Sequence, residues 1–417
     1  MSATCNCPIH VCDCMMGSGK SSAAITFINE HPDRKFIYVT PFLAEAHRVA
    51  EACTNVKLFE PVEKKKYRQC KTLHTSMLVD RSCSVATTHQ AFIAYPASLI
   101  QNIADKHYTL IIDENVSVME QAKVKASYIR LALECGMLVE TRPHVLELAD
   151  KENCGDFDPE LFHVMQTRTL LDGGGRIKYF WQLPPDLITA FDEVFVLTYM
   201  FRGQGLDLMF QLYNMEYDNI SVRCTDGVYR FCASGDKEEV HPANPRHLIT
   251  ILDNEKLNYI GSGRTAMCKS WFESRIEREG DDSNADIILV KNHIYNFFKN
   301  IAPAKRGHKM WSTFASAELS LRGLGYTSCF VACNCRSTNT YKNATSLAYV
   351  VNLYYNSFQK TLLWRMGVKV DDDLYALSTL VQWIWRSAIR DGKPVTLYLP
   401  SRRMRELLEG WLNSFET

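Results

Sequence analysis

Met15 to Ser22 read MMGSGKSS, which places Gly17, Ser18, Gly19, Lys20, Ser21 and Ser22 directly after the β-rich run IHVCDC and at the opening of a helical stretch. Glycines at such a junction let backbone N–H groups wrap a phosphate, and the N-terminus of the helix that follows adds roughly half a positive charge. In a loop of this kind Lys20 reaches the β- and γ-phosphates and the Ser21 hydroxyl holds Mg2+. Against the pattern G-x-x-x-x-G-K-[ST], the first glycine position holds Cys14, a small residue that departs from it. The bland alternative is a chance GSGKS turn.

A second constellation is YTLIIDENV, an apolar strand that delivers Asp113 and Glu114 to its carboxyl end, the edge at which open α/β sheets bind ligands. Asp113 there would hold Mg2+ through Ser21 or water, and Glu114 would orient and deprotonate an attacking water. A DE pair alone is as often a helix cap as a site. Its place after an apolar strand and downstream of a phosphate loop favours the catalytic reading.

Elements able to position these residues follow in alternation: IHVCDC and a helix from Ser21, KFIYVT and FLAEAHRVAEAC, CSVATTH and AFIAYPASLIQNIAD, then YTLIIDE. Strand and helix alternating at this spacing predict an α/β fold with a mainly parallel sheet and flanking helices. The stretch from about Val116 to Pro185 reads as a mainly helical insertion, broken by glycines 173–175, before EVFVLTYM resumes the sheet. The polar run ASGDKEEVHPANPRH marks a boundary, giving domains of 1–235 and 246–417. The second unit is expected to repeat the design on LITILD, ADIILVKN, YTSCFVAC, SLAYVVNLY and VTLYLP.

Composition narrows the remaining classes. The chain has 417 residues, 46% hydrophobic and 23% charged, enough for two or three domains with their own cores and unlike a disordered or fibrous protein. Lys plus Arg equal Asp plus Glu at 47 each, so nucleic acid would be met by local basic patches such as KKKYR (64–68), KRGHK (305–309) and SRRMR (401–405), with Tyr67 and Trp311 as nearby stacking candidates. No basic leader or apolar run of about 20 residues occurs, so a cytoplasmic location is expected. The 15 cysteines lie in strand-like runs and read as buried thiols; Cys5, Cys7, Cys12 and Cys14, and Cys329, Cys333 and Cys335, lack the knuckle spacing usual for zinc.

In these residues the chain resembles the superfamily 2 helicases and translocases of the DEAD/DEAH-like kind, particularly those encoded by bacteriophages. MGSGKS looks like their motif I, YVTP (38–41) like motif Ia, DENV like motif II and VLTYM like motif III, while ATTHQAF looks like a further strand-contacting motif. LVQWIWRSAIR is similar to motif VI, with Gln382 opening a helix that carries Arg386 and Arg390; four residues apart on a helix, both guanidiniums would share a face. The usual spacing there is three, which leaves open which arginine is the finger, Arg386 being favoured. FVACNCRSTNTYKN resembles motif V by position, with Arg336 as a contact, though a plain capped loop fits it equally.

The resemblance implies two tandem RecA-like domains with ATP and Mg2+ in the cleft between them, the first supplying Lys20, Ser21, Asp113 and Glu114 and the second Arg386 and Arg390. It implies nucleic-acid backbone contacts from Thr40, Pro41, Thr88 and His89, with DNA favoured over RNA, and work on a phage genome in replication or recombination beside proteins of those pathways. His89 is equally readable as a structural histidine. Two rivals stand beside a translocase: a DNA-packaging motor, whose nuclease would have only Asp371, Asp372 and Asp373 to draw on, and a nucleotide-binding regulator without motor activity.

Overall fold

The structure is a computed structural model that describes residues 7–63, 70–175, 179–240, 244–279, 284–333 and 340–415. Five strands arise first: β1 (Ile9–Asp13), β2 (Lys35–Thr40), β3 (Leu58–Phe59), β4 (Ser84–Thr88) and β5 (Tyr108–Asp113). The chain then builds β6 (Met119–Gln121), β7 (Leu138–Arg142), β8 (Val145–Leu148), β9 (Thr169–Asp172) and β10 (Tyr179–Gln182). It returns with β11 (Glu193–Thr198), β12 (Asp218–Thr225) and β13 (Val228–Ala233).

The first sheet has eight strands in the order β13-β12-β1-β11-β5-β2-β4-β3. Every pairing in it is parallel except β12 with β13. Its central strands are buried on both faces, as the near-continuous runs FIYVT and YTLIID require of a sheet covered by helices. The later strand β11 lies between β1 and β5, so the glycine-rich turn after β1 and the carboxylates ending β5 flank a common strand at one sheet edge.

The insertion corrects the mainly helical reading of residues 116–185. It is a five-stranded antiparallel sheet, β6-β10-β9-β8-β7, with two helices among its described residues, Ala126–Glu134 and Pro159–Met165. The strands are three to five residues long, too short for alternation to outweigh the apolar helix SYIRLALE beside them.

The second unit has one all-parallel sheet, β14-β17-β16-β15, from β14 (Ile249–Ile251), β15 (Lys309–Ser312), β16 (Ser346–Tyr349) and β17 (Val395–Tyr398). Two expected strands are absent from it. ADIILVKN is a helix, Ala285–Asn296, because Asn284 caps it by accepting from the Asp286 and Ile287 N–H groups. Ile287, Val290, Ile294 and Phe297 then repeat at helical spacing into the core. YTSCFVAC forms a 3-10 turn at Thr327–Cys329 and a single bridge from Phe330 to Trp311. The fold class is therefore α/β with two units, each built on a mainly parallel sheet.

The units comprise residues 1–240 with 356–370, and 241–355 with 371–417, so the second is not the continuous 246–417 expected. The helix Ser357–Arg365 leaves the second half of the chain to complete the core of the inserted sheet. Leu362 is fully buried against Val145, Leu171 and Phe180, Gln359 donates to the Met119 carbonyl, and Arg365 donates to the Gly173 carbonyl. Leu362→Ala removes most of that anchor and should destabilise the first unit by about 2–4 kcal/mol. It should lower that unit's thermal transition and leave the second unit's in place; an unmoved first transition would contradict the assignment.

Candidate functional site at the carboxyl edge of the first sheet

The turn after β1 is set by two glycines in the left-handed region, Gly17 and Gly19, both at φ 88°. Gly19 caps the helix Lys20–Glu30, and a Cβ on it would fall inside the Tyr229 ring of β13, so no other residue fits there. Cys14 occupies the position where a glycine was expected without obstructing the turn. Its sulfur turns into the core, 3.6 Å from the Cys12 sulfur and 3.3 Å from the Ser221 hydroxyl, leaving its carbonyl on the loop. The contact with Cys12 lowers the pKa of the Cys14 thiol, and burial opposes that shift.

Lys20 folds over this turn, its ammonium donating to the Cys14 carbonyl and, at 3.0 Å, to the Met15 carbonyl. Burial lowers its pKa, against the pull of the acidic groups of Cys12, Cys14, Asp113 and Asp13. Ser18 is fully buried in the loop, and its hydroxyl has no hydrogen-bond partner among the described residues. Ser22 is exposed on the helix.

Ser21 donates to Asp113 Oδ2 at 3.0 Å, joining the helix to the end of β5. The Tyr38 hydroxyl donates to the same oxygen at 2.7 Å. Burial, then the charge of Glu114, raises the Asp113 carboxyl to about 6, and these two hydroxyl donors oppose the rise. Glu114 has φ 63°, a left-handed backbone that costs a non-glycine residue about 1–3 kcal/mol. Its N–H donates to the Leu197 carbonyl at 2.8 Å, so the neighbouring strand holds the strained turn in place. Strain of this size at the end of a buried strand is the kind retained where a side chain must be aimed.

The expected nucleic-acid residues are placed differently. Thr40 is fully buried, its hydroxyl without a partner among the described residues, and so is not a surface contact. Pro41 is half-buried. Thr88 accepts from the Ala91 N–H as a helix cap. His89 is buried with Nε2 at 2.9 Å from the Asp113 carbonyl, a strut from the end of β4 to the DE turn. Arg336 and the patch at 64–68 with Tyr67 lie outside the described residues. Trp311 is fully buried and cannot stack on a base. In SRRMR, Arg403 bonds Asp373, Asn352, Leu353 and Asp372, Arg405 bonds the Leu399 and Pro400 carbonyls, and Arg402 pairs with Glu406.

The arginine pair also departs from expectation. The helix Asp372–Ile384 stops before Arg386, and Ser387 caps a separate 3-10 turn, Ala388–Asp391, that carries Arg390. The two guanidiniums therefore do not share a helical face; Arg386 is half-buried and Arg390 exposed. Burial pushes the neighbouring Tyr349 hydroxyl well up, and the Arg386 charge opposes that shift. Gln382 lies on the helix itself and donates to the Ser378 hydroxyl at 3.2 Å. The carboxylates offered for a nuclease have structural roles: Asp371 caps that helix, Asp372 accepts from the Tyr355 N–H, and Asp373 pairs with Arg403. Among the described residues no three His, Cys, Asp or Glu side chains gather as metal ligands, and no cysteine forms a disulfide. Thiols are not uniformly buried, since Cys70, Cys135 and Cys224 are exposed.

Sequence reasoning missed Tyr38, Asp13 and Gln204. Asp13 accepts from the Met200 and Phe201 N–H groups, and Gln204 bridges the Thr198 hydroxyl and the Tyr199 carbonyl, fixing the loop after β11 beside the phosphate turn. A phenolic hydroxyl in the middle of the apolar run FIYV was the available signal for Tyr38.

The donor set fits a nucleoside triphosphate with a divalent cation: a helix N-terminus, two left-handed glycines, a buried serine hydroxyl and an ammonium for phosphate, and Ser21 with Asp113 as hard oxygen ligands for Mg2+. Raising the Asp113 carboxyl means that the folded chain binds its proton more tightly than the unfolded one, so stability present at low pH is lost as pH climbs from about 4 to about 6. Asp113→Asn should therefore stabilise the metal-free protein at pH 7.5 by about 2–3 kcal/mol, the gain shrinking toward pH 5. Equal thermal midpoints for the two proteins at pH 7.5 would contradict a desolvated carboxylate.

A family model described as the YonV C-terminal Rossmann-like domain matches residues 243–412. The SPbeta prophage-derived uncharacterized protein YonV of Bacillus subtilis (strain 168) is 31% identical over 418 residues, covering 97% of this chain and 99% of the relative. Among solved structures, XPD in its apo form aligns at TM-score 0.46 and 10% identity over 97% of this chain and 96% of that one. S. tokodaii Xpd4 aligns at TM-score 0.41 and 12% identity over 97% and 94%. With a relative of that identity matched over nearly the full length of both proteins, the chain belongs to the YonV family.

Proposed function

We propose that this protein is an ATP-dependent nucleic-acid translocase or helicase whose nucleotide site is the carboxyl edge of the first sheet. The observation that carries the reading is the Ser21–Asp113 hydrogen bond directly beside the Lys20 turn. Two segments 92 residues apart in sequence meet there with the functional groups that phosphate and Mg2+ require. Chance turns of the GSGKS type have no reason to meet a buried carboxylate.

In this reading the Gly17–Gly19 backbone and the Ser18 hydroxyl bind phosphate oxygens, and Lys20 exchanges the loop carbonyls for the β- and γ-phosphates. Ser21 and Asp113 hold Mg2+, which supplies charge neutralisation on the phosphates when bound. Glu114 orients the water and takes its proton. Arg386 is assigned the guanidinium that stabilises charge at the γ-phosphate, with Arg390 the alternative; such a group is worth about 10³- to 10⁵-fold in rate. Nucleic acid, DNA before RNA, is the assigned track, and the prophage source of the YonV relative supports a role on a phage genome.

Lys20→Ala should lose both nucleotide binding and hydrolysis. Glu114→Gln should bind ATP like the parent and turn it over at least about a hundredfold more slowly, since the phosphate and metal ligands remain. Parental turnover in the glutamine variant would remove Glu114 from catalysis. Arg386→Ala should lower kcat far more than it weakens ATP binding. If only Arg390→Ala does so, the assignment of the two arginines is reversed.

A further inference from the structure

Tyr38 carries a hydroxyl at this edge that neither packing nor the phosphate loop explains. It is fully buried among Tyr38's neighbours Ala23, Ala24, Phe36 and Ile111, where a phenylalanine would fill the same space without a polar atom to satisfy. Strand register shows what the hydroxyl reaches. Tyr38 on β2 pairs with Ile111 on β5, so Asp113 is its diagonal neighbour two residues on, on the same face of the sheet. A tyrosine ring spans that offset, and its hydroxyl donates to Asp113 Oδ2 at 2.7 Å.

Ser21 donates to the same oxygen at 3.0 Å. Two donors on Oδ2 hold the orientation of the carboxylate, and Ser21, as a donor to it, keeps oxygen lone pairs with which it would serve a metal. If Tyr38 is absent, Ser21 alone orients the carboxylate, and Ser21 is the group that must also serve as ligand.

We propose that Tyr38 is a positioning residue for the divalent-cation site, aiming Asp113 from beneath so that Ser21 and Asp113 act as a preformed pair. The proposal rests on the reading of this edge as a nucleotide–Mg2+ site. Partners that orient a ligating carboxylate typically contribute about 10- to 100-fold to metal affinity.

The test is Tyr38→Phe, which retains the ring. Binding of a fluorescent ADP analogue is measured in EDTA and across a Mg2+ titration, and Mn2+ binding to the protein–ADP complex is followed by electron paramagnetic resonance. The variant should bind the nucleotide in EDTA within about twofold of the parent and require about 10-fold more Mg2+ or Mn2+ for half-saturation. In an Asp113→Asn background the same substitution should add nothing to the metal requirement. An unchanged metal requirement in a folded Tyr38→Phe protein, judged by its thermal midpoint, would overturn the proposal; so would an equal loss of affinity with and without metal, which marks a packing role. Should the variant not fold, Tyr38→Met gives the same readout with a flexible side chain that has no donor. Failure of the parent itself to bind nucleotide would instead overturn the phosphate-loop reading, and Tyr38's role with it.

Discussion

Placing the Asp113 carboxyl inside the protein, at the end of a strand buried along its whole length, is unfavourable on its own, and the surrounding structure is organised to hold it there. Ser21 and Tyr38 each donate to one of its oxygens, His89 lies in hydrogen-bond contact with its backbone carbonyl, and the next residue is kept in a strained turn by the Leu197 carbonyl. These contacts come from β2, the turn after β4, β11 and the helix after β1, so the parallel order of the first sheet is what makes them possible. A carboxylate kept partly desolvated, with its charge opposed by Glu114, is a poor contributor to stability, as expected of a group placed for something other than packing.

The same edge explains the glycines and the cysteine of the turn after β1. Gly19 has no room for a side chain under Tyr229, whereas Cys14 directs its sulfur toward Cys12 and Ser221 and contributes only backbone to the loop. A departure from the sequence pattern is thus absorbed where the side chain can leave the site and not where it would have to enter it. Away from the edge, the inserted antiparallel sheet and the Ser357–Arg365 helix form a core that ties a segment of the second half of the chain into the first unit. That connection gives the chain three crossings between its units, at 240/241, 355/356 and 370/371.

How much of this was legible from residues alone depended on the range of the interaction. The tight turn at Gly17–Gly19 and the buried strand ending at Asp113 were readable because each is fixed by a few consecutive residues: glycines where φ is positive, an apolar run where a strand is buried. Tyr38 and His89 were not, because their partner is chosen by strand register across 75 and 24 residues. ADIILVKN misled because eight residues of mixed aliphatics carry no period, while the capping Asn284 and the continuation to Phe297 do. The shared face expected of the two arginines failed similarly: spacing of four implies one face only if the helix continues, and it ends at Ile384 before a separate turn capped by Ser387. The helix at 357–365 carried no signal of its destination, since its buried leucines fit any core.

A site that binds nucleotide without responding to a polymer would be a switch, and one that turns over faster on a polymer is a motor. Steady-state ATP turnover of the full chain, measured alone and then with single-stranded DNA, duplex DNA and RNA, separates these most directly. The account predicts Mg2+-dependent hydrolysis that rises at least severalfold with a nucleic acid, single-stranded DNA foremost. Turnover that is absent, or that ignores all three polymers, would contradict it.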